Sequence, residues 1–292
     1  MKAKLYDLAK RLARPRGDKR LRIGDLTLVI DQGDGGGRQY EGRGSVEELR
    51  NDLYPRLKRD LNPRVVVDVG ANYGFTGAIF AKTFPGADLI LVEPDPRLAR
   101  YIRLNMTDNG VGQYKLVEAI CAERVIDRHV FGINPQSSQD NRVAKLDGWK
   151  TVEVPTTTLS TLLEPYGDSP AFIKIDTQGF EARVFEGARP YLENHAAWFV
   201  KTEFAPDWLR SQGTNPEELL LDLVRRYRVA EAPARTRFQR DSLKELFARS
   251  LHEDDVAPFV KHVKALNANE TGWVDLYIAP ASRTEARSRS PW

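Results

Sequence analysis

Val65-Val66-Val67-Asp68-Val69-Gly70-Ala71-Asn72-Tyr73-Gly74-Phe75 is the stretch whose reading decides how this chain folds. It opens on valines interrupted by a single acid, the composition of a parallel strand covered on both faces. Gly70 ends the strand, and Gly74 opens a helix expected to run from Phe75 to Phe84. A strand, a tight glycine turn and a helix in succession form the first half of a nucleotide-binding βαβ unit. Glycine lets the backbone approach a bound cofactor and take a positive φ without a Cβ clash. Asn72, between the two glycines, is one of the few other residue types that tolerate a left-handed conformation.

The spacing points to the kind of cofactor. A dinucleotide fingerprint would read G-x-G-x-x-G, with the pyrophosphate seated on the helix N-terminus. Here the run is Asp-x-Gly-x-Asn-x-Gly, with no Walker Lys-Ser/Thr pair. It resembles motif I of the S-adenosylmethionine (SAM) methyltransferases, whose cofactor carries an ammonium and a sulfonium instead of phosphates. An acid near the turn then makes electrostatic sense. A plain buried turn would account for the glycines but not for the matching second strand, Asp88-Leu89-Ile90-Leu91-Val92-Glu93, followed by Pro94-Asp95-Pro96. An acid ending that strand is placed to accept from both ribose hydroxyls. Asp95 then caps a helix with Pro96 at its favoured first position, and Asn109-Gly110 stops it. The cofactor-binding candidates are Asp68, Gly70, Asn72, Gly74, Glu93 and Asp95.

Composition bounds the rest. The chain has 292 residues, 41% of them hydrophobic and 29% charged, which suits one sizeable core in a polar protein. Its one cysteine, Cys121, excludes an internal disulfide and favours the cytoplasm. No apolar run is long enough to span a bilayer, and the first residues lack a signal-peptide core. A net charge of only +3 argues against a general nucleic-acid binder. The charge is uneven: residues 1–22 hold nine Lys or Arg against Asp7 and Asp18. Leu5, Leu8, Ala9 and Leu12 line one side of a short helix there. Such a helix either rests on the anionic inner face of a membrane or packs on its own domain.

Downstream of that helix, Leu21–Gly24 and Leu26–Ile30 form a hairpin, and the glycine-rich stretch Asp31–Gly44 reads as a loop, either a cover for the active site or a mobile connector. Ser45 and Glu48 make a capping box for a helix over 45–60. Residues 1–60 are thus an N-terminal extension, 61–281 the main domain, and 282–292 a polar tail expected to be disordered. Within the domain, strands are expected at Lys115–Cys121, around Val125–Phe131, and at Thr151–Pro155. A polar loop lies between Gly132 and Gly148, where such loops are often functional. Asn215-Pro216 starts a helix to Tyr227 with Leu219, Leu220, Leu223 and Val224 inward, and Gly272–Ile278 is a late strand.

Two more strands, Ala171-Phe172-Ile173-Lys174-Ile175-Asp176 and Ala197-Trp198-Phe199-Val200-Lys201-Thr202-Glu203, end on acids as Asp68 and Glu93 do. In open α/β sheets ligands lie beyond the carboxyl ends of the strands, so Asp176 and Glu203 would face the acceptor. Taken together, Asp68-Val-Gly-Ala-Asn-Tyr-Gly74, Glu93-Pro94, Ile173-Lys-Ile-Asp176 with Gly179 and Glu181, and Glu203 resemble the FkbM family of SAM-dependent methyltransferases over roughly residues 62–205. The resemblance implies an α/β, Rossmann-like class I methyltransferase fold. Its seven-stranded, mostly parallel sheet has a reversed last strand and helices on both faces, here with an N-terminal helix and hairpin added. It also implies methylation of hydroxyl groups, on saccharides of glycans or on polyketides. The family usually reads Ile-Asp-Val-Glu-Gly after the lysine, where this chain has Thr177-Gln178. Gln178 keeps the hydrogen bonds of that glutamate but not its charge.

A hydroxyl acceptor is a poor nucleophile while protonated, so a nearby base should help. Asp176 is the first candidate and Glu203 the second, while Lys174 is expected to pair with an acid. Ser137, Ser138, Asn141 and Gln178 are the substrate-binding candidates. His129, His195, His252 and His262 show no paired spacing for zinc. Mg²⁺ held by Asp176 and Glu203 is an alternative, with no metal as the expectation. A nucleic-acid N-methyltransferase should carry an Asp/Asn-Pro-Pro-aromatic run where Asp176-Thr177-Gln178-Gly179 stands. A non-catalytic SAM-binding scaffold is encouraged only by Gln178.

Overall fold

The computed structural model describes residues 17–42, 53–232, 243–269 and 271–281. Thirteen strands occur among them: β1 (Asp18–Ile23), β2 (Leu26–Asp31), β3 (Val65–Val69), β4 (Asp88–Val92), β5 (Lys115–Val117), β6 (Ile120–Cys121), β7 (His129–Ile133), β8 (Lys150–Val154), β9 (Thr156–Thr157), β10 (Ala171–Ile175), β11 (Trp198–Phe204), β12 (Tyr227–Glu231) and β13 (Val274–Pro280). Seven of them form one sheet in the order β12-β13-β11-β10-β3-β4-β5. β3, β4, β5, β10 and β11 run parallel, and β13 lies antiparallel to both its neighbours. The strand order reverses beside β3, with β4 on one side and β10 on the other. That switch point is where an open α/β sheet leaves a crevice at its carboxyl edge.

Alternation along the strands divides the core in two. Val65, Val67 and Val69 pack with Ile173, Val200, Leu162, Val184 and Leu220 on one face. Val66 packs with Phe172, Phe199, Phe80, Ile102 and Tyr54 on the other. The β1–β2 hairpin covers this second face. Its exposed backbone is satisfied by the helix Pro96–Asp108 and its cap: Asn105 Oδ1 accepts from Val29 N at 2.6 Å while its Nδ2 donates to Val29 O at 3.1 Å. Asn109 does the same for Thr27, at 2.9 and 2.7 Å. Two asparagines one helical turn apart thus imitate a neighbouring strand.

Several expected elements shift. The strand expected over Lys115–Cys121 breaks after Val117, because Ile120–Cys121 leave the main sheet to pair with Thr156–Thr157. The one expected around Val125–Phe131 begins only at His129 and pairs antiparallel with β8 as a separate two-stranded arm. After Asp176 a helix runs over Glu181–Asn194. Asp31–Gly44 is not a plain loop, since Gly35–Arg38 form a short helix capped by Asp34. β12 and the helix Val256–Lys264 were not read from the sequence, although Val256, Phe259, Val260 and Val263 carry the helical period and are buried. The basic helix within residues 1–16, the Ser45–Glu48 capping box and the tail from Ser282 lie outside the described residues. Among the described residues no helix is long and apolar enough to cross a membrane.

Candidate active site

The carboxyl ends of β3, β4, β10 and β11 open into a cavity of about 500 Å³. This is a size that holds a nucleoside-sized ligand and part of an acceptor. Its floor is the turn after β3. Gly70 stands there at φ +81°, and a Cβ added to it would come within 1.9 Å of the Asp176 carbonyl oxygen. Only glycine permits the β3 and β10 turns to meet so closely. Asn72 follows at φ 51°, and its buried Oδ1 has no hydrogen-bond partner.

Glu93 projects from the end of β4 into the same space. Its Oε2 accepts from Asn72 N at 2.8 Å and its Oε1 from Asp95 N at 2.9 Å. Two backbone donors fix the carboxyl group while leaving lone pairs toward the cavity, the arrangement needed to receive a vicinal diol. Burial pushes its pKa up to about 8, further raised by the neighbouring acids and opposed by the two backbone bonds. A ligand that donates hydrogen bonds would favour the ionised form. These features (a cradle that a Cβ would fill, an orphaned amide oxygen and a fixed acid) fit the ribose and amino-acid ends of SAM.

The other end of the cavity is built from β10 and β11. Asp176 is held from two sides: Lys174 Nζ lies 3.4 Å from its Oδ2, and Gln178 Nε2 donates to its Oδ1 at 3.1 Å. Burial works to lower the Lys174 pKa, but Asp68 and Asp176 outweigh it and hold the ammonium well above the usual lysine range. Glu181 fastens the turn from one buried oxygen, accepting from Thr177 N at 2.8 Å, Thr177 Oγ1 at 2.9 Å and Gly179 N at 3.3 Å. Gln178 takes φ 58° within this turn. Glu203 also lines the cavity. Burial and then the Asp176 charge push its carboxyl well above the usual carboxylate range, and its Oε2 has no hydrogen-bond partner. Phe180, Trp208 and Trp273 complete this end.

The expected site residues separate into three groups. Gly70, Asn72, Glu93, Asp176, Gln178 and Glu203 line the cavity together. Asp68, Gly74 and Asp95 do not. Asp68 is fully buried beneath the turn, where its Oδ1 takes the Lys174 ammonium at 3.0 Å. Gly74 begins the helix Phe75–Thr83 and packs on Ile102 and Met106. Asp95 caps its helix and accepts from Asn141 Nδ2 at 3.0 Å. These three support the site from behind. Ser137, Ser138 and Asn141 line the cavity, but two of them are tied to its cofactor end. Ser138 O accepts from Asn72 Nδ2 at 3.4 Å, and Asn141 reaches Asp95.

Sequence reading missed Asp34, Tyr40, Trp208 and Trp273. Asp34 had a signal, an N-cap residue before a short helix. The tryptophans had none. Cys121 also borders the cavity, with its thiol pushed by burial up to about 12, which leaves it an inert wall. Among the described residues no group of three or more His, Cys, Asp or Glu is arranged to hold a metal ion.

Solved structures similar to the chain include a precorrin-6y C5,15-methyltransferase from Geobacter metallireducens, 15% identical, covering 89% of this chain and 98% of that one with a TM-score of 0.43. Another is a methyltransferase from Podospora anserina bound to S-adenosylhomocysteine (SAH), 11% identical, covering 79% and 77% with a TM-score of 0.43. No curated protein matches in sequence. The model of the methyltransferase FkbM domain matches residues 68–229, from the acid of β3 to the middle of β12 and more than half of the chain. The chain therefore belongs to the FkbM methyltransferases and is a methyltransferase that draws its methyl group from S-adenosyl-L-methionine.

Proposed function

We propose that this methyltransferase acts on oxygen, transferring the methyl group to a hydroxyl of a saccharide or glycan. The observation that carries the reading is that two acids, Asp176 and Glu203, line the same cavity as Gly70, Asn72 and Glu93. SAM supplies an electrophilic methyl carbon on a sulfonium. The acceptor oxygen forms a bond to that carbon as the carbon–sulfur bond breaks, and the hydroxyl proton must leave. Asp176 is the proton acceptor in this reading. It is oriented by Lys174 and Gln178, so little reorganisation is needed when the acceptor arrives. Burial and the Asp176 charge favour the protonated form of Glu203, which serves as a hydrogen-bond partner of the acceptor. Phe180, Trp208 and Trp273 offer apolar surface for a ring. Gln178 in place of the family's usual glutamate leaves this turn one negative charge lighter, which suits a role in orienting Asp176.

Transfer of labelled methyl from SAM to a panel of free sugars, lipid-linked glycans and macrolides tests the proposal. Label in an ether on a sugar is the expected result. Label confined to a macrolide moves the reading to a polyketide-type metabolite, and label on nitrogen or carbon overturns it. The assay is run with EDTA and again with Mg²⁺. Activity that survives EDTA is expected, and activity restored only by Mg²⁺ would assign the two acids to a metal instead.

A further inference from the structure

The wall that closes the cofactor end of the cavity is not held by its own strands alone. It belongs to the Gln136–Asn141 segment, and it is seated on the N-terminal Asp34–Gly37 turn, about a hundred residues away in sequence. Of three successive glycines there, two stand under the wall and the third under Tyr73. A Cβ on Gly35 would come within 2.6 Å of the Gln136 carbonyl oxygen, one on Gly36 within 2.6 Å of Ser138 Oγ, and one on Gly37 within 2.9 Å of Tyr73 Oη. Gly35 N donates to Gln136 O at 2.8 Å, so the first approach is a backbone hydrogen bond. Asp34 anchors the seat. Only 3% exposed, it accepts from Ser138 N at 2.8 Å, from Gly36 N at 3.1 Å and from Tyr73 Oη at 2.6 Å. Tyr73 lies within the glycine turn after β3, and Ser138 O receives the Asn72 side chain. One carboxylate therefore ties the cavity wall to the turn that forms the cavity floor.

Nothing in the conformation of Gly36 itself calls for glycine, since its φ is not positive. In a free-standing helix alanine would be preferred there. The only cost of a methyl group at this position is contact with Ser138 and Gln139.

We propose that Asp34 and Gly35–Gly37 are positioning residues for the cofactor: they set the height of the Gln136–Asn141 wall, and through Ser138 and Tyr73 the placement of Asn72 against the bound ligand. The consequence is a tighter cofactor site than the strand ends alone would make. None of this depends on which acceptor is methylated, so the test is read on SAH alone.

Titration calorimetry with SAH compares the parent with Gly36→Ala, Asp34→Ala and, as control, Gly86→Ala, a glycine with open space around it. Gly36→Ala and Asp34→Ala are expected to raise the SAH Kd tenfold or more, with Gly86→Ala at the parental value. Amide hydrogen exchange on the same proteins separates positioning from general destabilisation. Exchange should quicken at Ser138 and its neighbours and stay slow in β3 and β10. Parental SAH affinity in Gly36→Ala and Asp34→Ala overturns the proposal. So does weakened affinity accompanied by faster exchange throughout the sheet, because the turn would then be structural and no more.

Discussion

Glu93 carries the sharpest consequence at the scale of a single residue. Its folded-state pKa of about 8 lies above the ordinary value of 4.5. Between those values the folded protein holds a proton that the unfolded chain has released, so this group's contribution to stability falls as pH rises through that window. Cofactor binding runs the other way, because two ribose hydroxyls donate to the carboxylate and favour its ionised form. SAH affinity should therefore strengthen from pH 6 to pH 8 by up to about tenfold per unit, the limit for one linked proton, and level off above. Calorimetry across pH checks this, and Glu93→Gln should both weaken binding and flatten the profile. A flat profile in the parent would mean that Glu93 is already ionised in the free protein. Asp176 makes a separate prediction. Asp176→Asn keeps an acceptor for Gln178 but removes the base, so the turnover rate should drop by about 10²–10⁴-fold while SAH still binds. Loss of SAH binding instead would place Asp176 in the cofactor subsite.

Between elements, the tie from β3 to β10 rests on Asp68 and Lys174, which are register partners in adjacent strands. Replacing Lys174 with Met leaves Asp68 buried without its ion-pair partner, a change that typically costs about 3–5 kcal/mol. Denaturant unfolding should show that loss, and the double variant Asp68→Asn, Lys174→Met should recover part of it. Full additivity of the two single changes would mean that the pair is not coupled. The same elements show which features could be read from sequence. Strand ends, the Gly70 turn and the Asp95 and Asn215 caps were legible, because each is set by residues within a few positions of one another. Asp68 was legible as an acid but not as a partner of Lys174, since its role is decided by a strand 106 residues away. The break after Val117 was hidden for the same reason, as Ile120 answers to Thr156. β12 was hidden differently: Tyr227 ends a helix and begins the strand at once, with no turn residue between them.

Across the whole molecule, the cavity draws its walls from places far apart in sequence: the Gly70 turn, the end of β4, the Gln136–Asn141 segment and the Gln39–Tyr40 end of the N-terminal turn. A ligand that touches all of them stabilises only the arrangement in which they are assembled. Its binding free energy is then added to the stability of the fold, as RT ln(1 + [L]/Kd), or about 2.7 kcal/mol when ligand is at a hundred times Kd. For a domain of this size each kcal/mol moves the melting temperature by roughly 2–4 °C, so SAH at that concentration should raise Tm by roughly 5–10 °C. NAD at the same concentration should leave Tm unchanged, because the turn lacks the third glycine and the phosphate cradle that a dinucleotide requires. A shift with SAH that disappears in Glu93→Gln ties the effect to the ribose contact. No shift with SAH at saturation would mean that the crevice above Gly70 is not where the cofactor binds, and the assignments of Asn72 and Glu93 would fall with it.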